Sequence, residues 1–396
     1  MTAALNLQIA RIEGGRLYGA TAGTAPVLRN LHVRGREICP PETVAGGARL
    51  DASDLHVVPG FIDLHVHGGG GADTMQADPA AIRIMGALHL QHGTTSFMPT
   101  TTTAALPHIE KAVRTVGIAM RNGAAGPRIL GAHVEGPFLS PEFAGAQNPE
   151  FIRTPDMDFV ARLATSGVMK LMTLAPEIPG AQELIRQLRA AQVVAVTGHT
   201  ASTYAEAATG TDWGIRQATH TFNAMRGLHH REPGALGWIL QDPRIFAQLI
   251  ADNIHVHPGA MRILALCKSV ERLLLITDAI AAAGQPEGIF ALGALPVEVK
   301  DGACRLPDGT LAGSVLTMEK ALANLIAATQ TDLATCWPAS SLTAAVSCGW
   351  DHRLGRLRPG YWADVTLLTQ DLQVAAVLVD GRLRYLAPEH ADRVTT

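Results

Sequence analysis

Between residues 56 and 355 the chain alternates short apolar runs with helical stretches, and eight of the runs stop at His67, Thr100, Glu135, Ala175, His199, His220, Asp252 and Asp278. Helical patterns fall between them, among them 79–91, 104–121, 180–191, 202–209 and 259–269. Parallel strands need a crossover connection, and a helix is the usual one. Eight β/α units suit a closed barrel better than an open sheet. The pattern therefore predicts an α/β fold with a (β/α)8 TIM-type barrel, which takes roughly 250 residues. The remainder of the 396 residues lies at the two ends. Residues 1–55 and 356–396 read as short strands joined by Gly-rich turns, with Asp380-Gly381 a hairpin turn. We expect them to join as one small β-sandwich beside a barrel of residues 56–355.

Composition narrows the function. Apolar residues make up 47% and charged residues 17%, which is material for an ordered core. The net charge of -3 carries no basic block. Nucleic-acid and anionic-membrane partners, which need a concentrated positive patch, are therefore not expected. No apolar stretch reaches membrane-spanning length, and the first residues lack a basic region followed by a long apolar run, so a cytoplasmic protein is expected. Five scattered cysteines without a CxxC pair fit neither a disulfide framework nor a zinc ribbon. The unusual count is histidine, at sixteen.

Several of those histidines fall where a barrel keeps its chemistry, at the C-terminal rim of the strands. His65 and His67 are two apart, so on a strand they share a face and can reach one ion. Glu135 closes a strand just before Gly136-Pro137, and a buried carboxylate there needs a cation or a basic partner. His199 ends VVAVTGH, His220 ends RQATH and Asp278 ends LLLITDA. Singly, each histidine is more often a hydrogen-bonded core residue, and Asp278 can be read as a helix cap. Jointly they supply the N and O ligands of Zn, Fe or Mn sites, with no cysteine among them. Glu135, His199 and His220 would leave a position for water. His65, His67 and Asp278 would hold a second ion, with Glu135 bridging, so one or two divalent ions per subunit are expected. His133 shares a strand face with Glu135 and can support the site from behind.

PGFIDLHVHG and LGRLRPGYWADVTLL resemble the amidohydrolase superfamily. Within it, HVEGPFL, GHT, THTFNAM, REPG, IADNIHV, TDA and DGTLAGSVLTM resemble the N-acetylglucosamine-6-phosphate deacetylases, in the same order over nearly the whole chain. The resemblance implies a metal-dependent barrel with a sandwich built from both termini. It implies an enzyme that deacetylates N-acetyl-D-glucosamine 6-phosphate to D-glucosamine 6-phosphate and acetate, in amino-sugar catabolism. Glu135, His199 and His220 resemble the principal metal ligands, and Asp278 the catalytic acid/base that works on water activated by the metal. Substrate contacts would fall on Ala146, Asn223, Ala224, Arg231, His255, Ala312, Gly313 and Ser314. Arg231 would reach the phosphate of the neighbouring subunit's substrate, which makes a homodimer.

Two positions depart from the pattern. Ala144-Gly145-Ala146-Gln147 stands where Lys-Gly-Ala-His is usual, so Gln147 replaces a substrate-facing His. Asn253 stands where Gly is usual. These changes leave open another N-acyl hexosamine as substrate. A second alternative is an amidohydrolase of the dihydroorotase or hydantoinase type, with Lys170 as a carboxylated bridging ligand, although Lys170 lies too early in its strand. A scaffold that has lost its chemistry would lack ligands, and none is lost here. His229 and His230 are candidates for the dimer contact, while His257 and the remaining histidines read as structural or surface residues.

Overall fold

The computed structural model describes residues 6–396 except 20, 45, 124 and 125. The predicted eight strands are present: β1 Phe61–Val66, β2 Thr94–Thr101, β3 Ala132–Glu135, β4 Met169–Leu174, β5 Val194–Thr197, β6 Gln217–Ala218, β7 Phe246–Ile250 and β8 Leu273–Ile276. Neighbours pair in parallel from β1 through β8. The rim closes between the ends of β1 and β8, where Asp278 N donates to His65 O at 2.9 Å and His67 N donates to Ala279 O at 2.9 Å.

Each strand is followed by a helix: α1 Pro79–Gln91, α2 Leu106–Asn122, α3 Met157–Thr165, α4 Ala181–Ala190, α5 Tyr204–Trp213, α6 Gly234–Gln241, α7 Pro258–Lys268 and α8 Met318–Thr329. Local chemistry sets several of their starts. Asp78 accepts from Ala80 N at α1, and Thr203 forms a capping box with Glu206 at α5. In α2, Ile109, Val113 and Val116 recur at helical spacing and are buried, whereas Lys111 and Arg114 face outward. Strands enclosed on both faces carry continuous apolar runs such as the fully buried LLLI of β8. Ile62, Leu64, Met98, Leu130, Leu171, Val196 and Leu274 cluster with Ala344, Ala345 and Leu354, which belong to the segment following α8.

Both chain ends enter one 11-stranded sheet. Leu7–Glu13 pairs antiparallel with Arg382–Leu386 and parallel with Ala48–Asp51, and His56–Pro59 pairs antiparallel with Val365–Leu368. Asp380 and Gly381 both have left-handed φ, 53° and 70°, as a two-residue type I′ hairpin turn requires. One element was not foreseen. Gly288–Leu292, Leu295–Lys300 and Ala303–Arg305 form a separate antiparallel sheet between β8 and α8.

Arg128 ties the barrel to the terminal sheet. Its Nη2 donates to Asp364 at 3.1 Å and to Asp380 at 2.8 Å, and its guanidinium lies 4.1 Å from the Trp362 ring centroid. Burial pushes the Asp364 carboxyl up, and Arg128 opposes that shift. Removing the cation strands a buried carboxylate. Arg128→Ala is therefore expected to cost about 3 kcal/mol, near the low end for a broken buried pair because Asp380 is partly solvated. Urea unfolding measures this, and an unchanged midpoint would refute the role.

Candidate metal centre

Glu135 is the last residue of β3, but most of the other candidate ligands lie just beyond their strands. His67 follows β1 by one residue, while His199, His220 and Asp278 each come two residues after β5, β6 and β8. Those three have left-handed φ, 48°, 26° and 51°. Non-glycine residues rarely adopt that conformation, and when they do the surrounding structure holds them there. The strands therefore stop two residues earlier than the sequence suggests, and all three side chains line the barrel mouth.

The six side chains form two groups: Glu135, His199 and His220, and His65, His67 and Asp278. All are buried. Glu135 Oε1 lies 3.3 Å from His199 Nε2, 3.2 Å from His220 Nε2 and 3.5 Å from His65 Nε2. Its Oε2 lies 3.3 Å from His67 Nε2. Asp278 Oδ1 is 3.3 Å from His65 Nε2 and 3.2 Å from His67 Nε2. Glu135 thus faces both groups, with Oε1 toward His199, His220 and His65 and Oε2 toward His67.

The outer nitrogens decide what the inner ones can do. His67 Nδ1 contacts Thr100 O at 3.2 Å, His199 Nδ1 contacts Phe143 O at 3.0 Å, and His220 Nδ1 contacts Asn223 O at 3.2 Å. A carbonyl only accepts, so each Nδ1 carries the proton and each Nε2 presents a lone pair inward. His65 Nδ1 faces Gln248 Oε1 at 3.3 Å, an orientation consistent with Gln248 Nε2 donating to Gln217 Oε1. Paired lone pairs then face one another at 3.2 Å (His65 to His67) and 3.1 Å (His199 to His220). Such pairs need a cation between them. Imidazoles locked by outer acceptors are how proteins present metal ligands, so the donor set fits divalent ions.

The charges agree. Burial alone would raise the Glu135 carboxyl, yet the imidazoles around it hold it well below the usual range. Asp278 is likewise opposed by burial but drawn down to about 2 by His65 and His67. His133 behaves differently. Burial and the adjacent His65 push it well below its ordinary value. Its ring packs edge-on against His65 with centroids 4.7 Å apart, and its Nε2 is bonded to Thr173 Oγ1 at 2.7 Å. It touches a ligand by packing, with no hydrogen bond to one.

A mouth of about 50 Å³ opens onto the centre, lined in part by Ala146, Gln147, Ala224, His255 and Gly313. Beside it lies a cavity of about 470 Å³ that shares Ala146 and Leu292 with the mouth. Leu292 comes from the unforeseen three-stranded sheet. His255 Nδ1 is bonded to Asp252 Oδ2 at 2.7 Å, leaving Nε2 as the nitrogen available to a ligand. Asp252 therefore orients His255 and is absent from both metal groups. Asn253 has φ 65°, a left-handed position that Asn tolerates better than most residues, which accounts for its standing in for Gly.

Other expected contacts have partners within the protein. Asn223 offers its carbonyl to His220, Ala312 is buried, and Ser314 Oγ donates to Thr277 O at 2.6 Å, bracing the Asp278 turn. Gln147, expected to face the sugar, has both ends of its amide engaged within the protein. Arg231 is exposed, bonded to His230 Nε2 at 2.8 Å, and does not line the mouth of its own subunit. Lys170 sits at the second residue of β4, far from a bridging position. Glu177 was missed: it accepts from Thr200 Oγ1 and Ala201 N, both at 2.6 Å, and so fixes the turn after His199. The acidic end of LMTLAPE was its signal.

The Amidohydrolase family model matches residues 56–384, and the chain belongs to that family. Within the family its relatives are deacetylases of phosphorylated N-acetyl hexosamines. The N-acetylglucosamine-6-phosphate deacetylase of Lysinibacillus sphaericus is 35% identical over 91% of this chain and 90% of its own. The N-acetylgalactosamine-6-phosphate deacetylase of Escherichia coli O157:H7 is 37% identical over 82% and 86%. Among solved structures, a variant N-acetyl-D-glucosamine-6-phosphate deacetylase of Mycobacterium smegmatis, in complex with N-acetyl-D-glucosamine-6-phosphate, superposes with a TM-score of 0.87 at 32% identity, covering 95% of this chain and 99% of that one.

Proposed function

We infer that the protein is a hydrolase that deacetylates N-acetyl-D-glucosamine 6-phosphate, giving D-glucosamine 6-phosphate and acetate. The observation that carries this is the convergence of four imidazole Nε2 atoms on Glu135 and Asp278, in a chain matched end to end by deacetylases. Glu135, His199 and His220 would hold the principal ion. His65, His67 and Asp278 would hold a second, with Glu135 bridging. Imidazole and carboxylate ligands without thiolate suit Zn, Fe or Mn. A divalent ion bound there polarises an amide carbonyl and brings the pKa of water to about 7.

The chain's own residues do the rest. Asp278, ionised beside that positive charge, accepts the proton of the attacking water and delivers it to the departing amine. Ala146, Ala224, His255 and Gly313 line the mouth where a sugar would lie. Arg231 suits a phosphate because its planar fork makes two charge-assisted hydrogen bonds. Its exposure, and that of Leu228 three residues earlier at 60%, support a homodimer in which it reaches the partner's site. No helix among the described residues is long and apolar enough to cross a membrane. A doubly charged sugar phosphate stays within the compartment that makes it, which favours the cytoplasm.

The test is acetate release from N-acetylated glucosamine, galactosamine and mannosamine, each with and without the 6-phosphate. The glucosamine phosphate should be turned over best, and Arg231→Ala should raise KM for phosphorylated substrates alone. The galactosamine arm matters because one relative carries that specificity in its name. No acetate from any phosphorylated hexosamine would sink the proposal.

A further inference from the structure

Gln147 lies in the loop after β3 and is 4% exposed. Its Oε1 accepts from Thr103 N at 2.6 Å, and its Nε2 donates to Glu135 Oε2 at 2.6 Å. Only one amide orientation satisfies both contacts. The flipped amide would set an NH2 against a backbone N–H and a carbonyl oxygen against a carboxylate. The side chain is therefore a strap from the main chain just beyond β2 to the carboxylate ending β3.

The oxygen it holds is the one that matters for a second ion. Glu135 Oε1 faces His199 and His220 and lies 3.5 Å from His65, whereas Oε2 faces His67 alone. The last torsion of a Glu side chain is broad, so a carboxylate left to itself would rotate away from any bridging pose. The strap removes that freedom. It does so without charge, whereas a protonated histidine at this position would set a positive group beside two cations.

We propose that Gln147 is a positioning residue that aims Glu135 Oε2 at the His65, His67 and Asp278 group and thereby sets the affinity of the second ion. The inference rests on the two-ion reading given above.

The experiment is a Zn²⁺ titration of chelator-stripped protein, followed calorimetrically and checked by bound-metal analysis. It compares the parent with Gln147→Met, which keeps the volume but cannot donate, and with Gln147→Asn, which keeps the amide but is too short to span both contacts. The parent should bind two ions. Both variants should bind the first as the parent does and the second about 10–100-fold more weakly, the usual cost of removing a partner that orients a ligand. The first site reports that the variants are folded.

Parent-like second-site affinity in either variant overturns the inference, as does loss of both sites together in both variants. A parent that takes up one ion overturns it along with the two-ion reading, while acetate release still decides the reaction separately. Selective loss of the second ion in a protein that releases no acetate would sustain the strap and sink the deacetylase reading.

Discussion

Asp278→Asn should lower turnover by about 10²–10⁴-fold while leaving substrate affinity close to that of the parent. The amide keeps the shape of the carboxylate and one oxygen for an ion, but it has no basicity with which to take a proton from water. Positive charge on the His65 and His67 side draws the Asp278 carboxyl below its ordinary range, so it is ionised at neutral pH and stands ready as the base. The loss should therefore appear in kcat, with KM little changed. Steady-state kinetics with a direct binding measurement checks this, and near-parental kcat would require another base. Mixed dimers of Asp278→Asn with Arg231→Ala should regain activity, because one of their composite sites contains both intact residues. No recovery in demonstrably exchanged dimers would place Arg231 in its own subunit's site.

The second large effect comes from Glu135, which faces both ligand groups. Glu135→Ala is expected to abolish bound metal at the principal site and activity with it, and to weaken the second site as well. Replacing His65 and His67 together should instead lower the content from two ions towards one and leave measurable turnover. The contrast follows from geometry, since the carboxylate presents an oxygen to each group while the histidine pair belongs to one. Bound-metal analysis alongside acetate release separates the cases. A Glu135→Ala protein that keeps its principal ion would refute the assignment.

The barrel and the ligand types were legible because both have one-dimensional signatures. Apolar runs mark strands, and an HxH or a terminal Glu at a strand end marks a rim position. The sequence did not reveal where the ligands sit relative to the strand ends. Left-handed φ at His199, His220 and Asp278 leaves no trace in residue type, since these are not glycines. The locks on the imidazoles were equally hidden. Thr100, Phe143 and Asn223 serve through main-chain carbonyls, which every residue possesses.

Asp252 follows β7 by two residues, as three of the candidate ligands follow their strands, but its carboxylate orients His255. The three-stranded sheet after β8 could have been found. Asp301-Gly302 sits between runs that alternate in burial, and both residues have left-handed φ, 51° and 74°. Gln147 was read as a sugar contact from its position in a motif, and its bonds to Thr103 N and Glu135 Oε2 had no signature in residue type.

The sheet shared by both ends of the chain also sets an order of events during synthesis. Gln8 and Gly381, bonded in the finished sheet, are 373 residues apart. At about 5–20 residues per second, the first strand waits roughly 20–75 s for that partner to be made. Meanwhile Leu7–Glu13 can pair with Ala48–Asp51 and with Leu31–Arg34, so a provisional half-sheet can leave the ribosome with an open edge. Every candidate ligand, from His65 to Asp278, is synthesised before Val365–Leu368 and Arg382–Leu386. The nascent chain thus possesses its whole set of candidate ligands while its terminal sheet is still half made, so these residues can assemble before the final strand pairing that seals the fold.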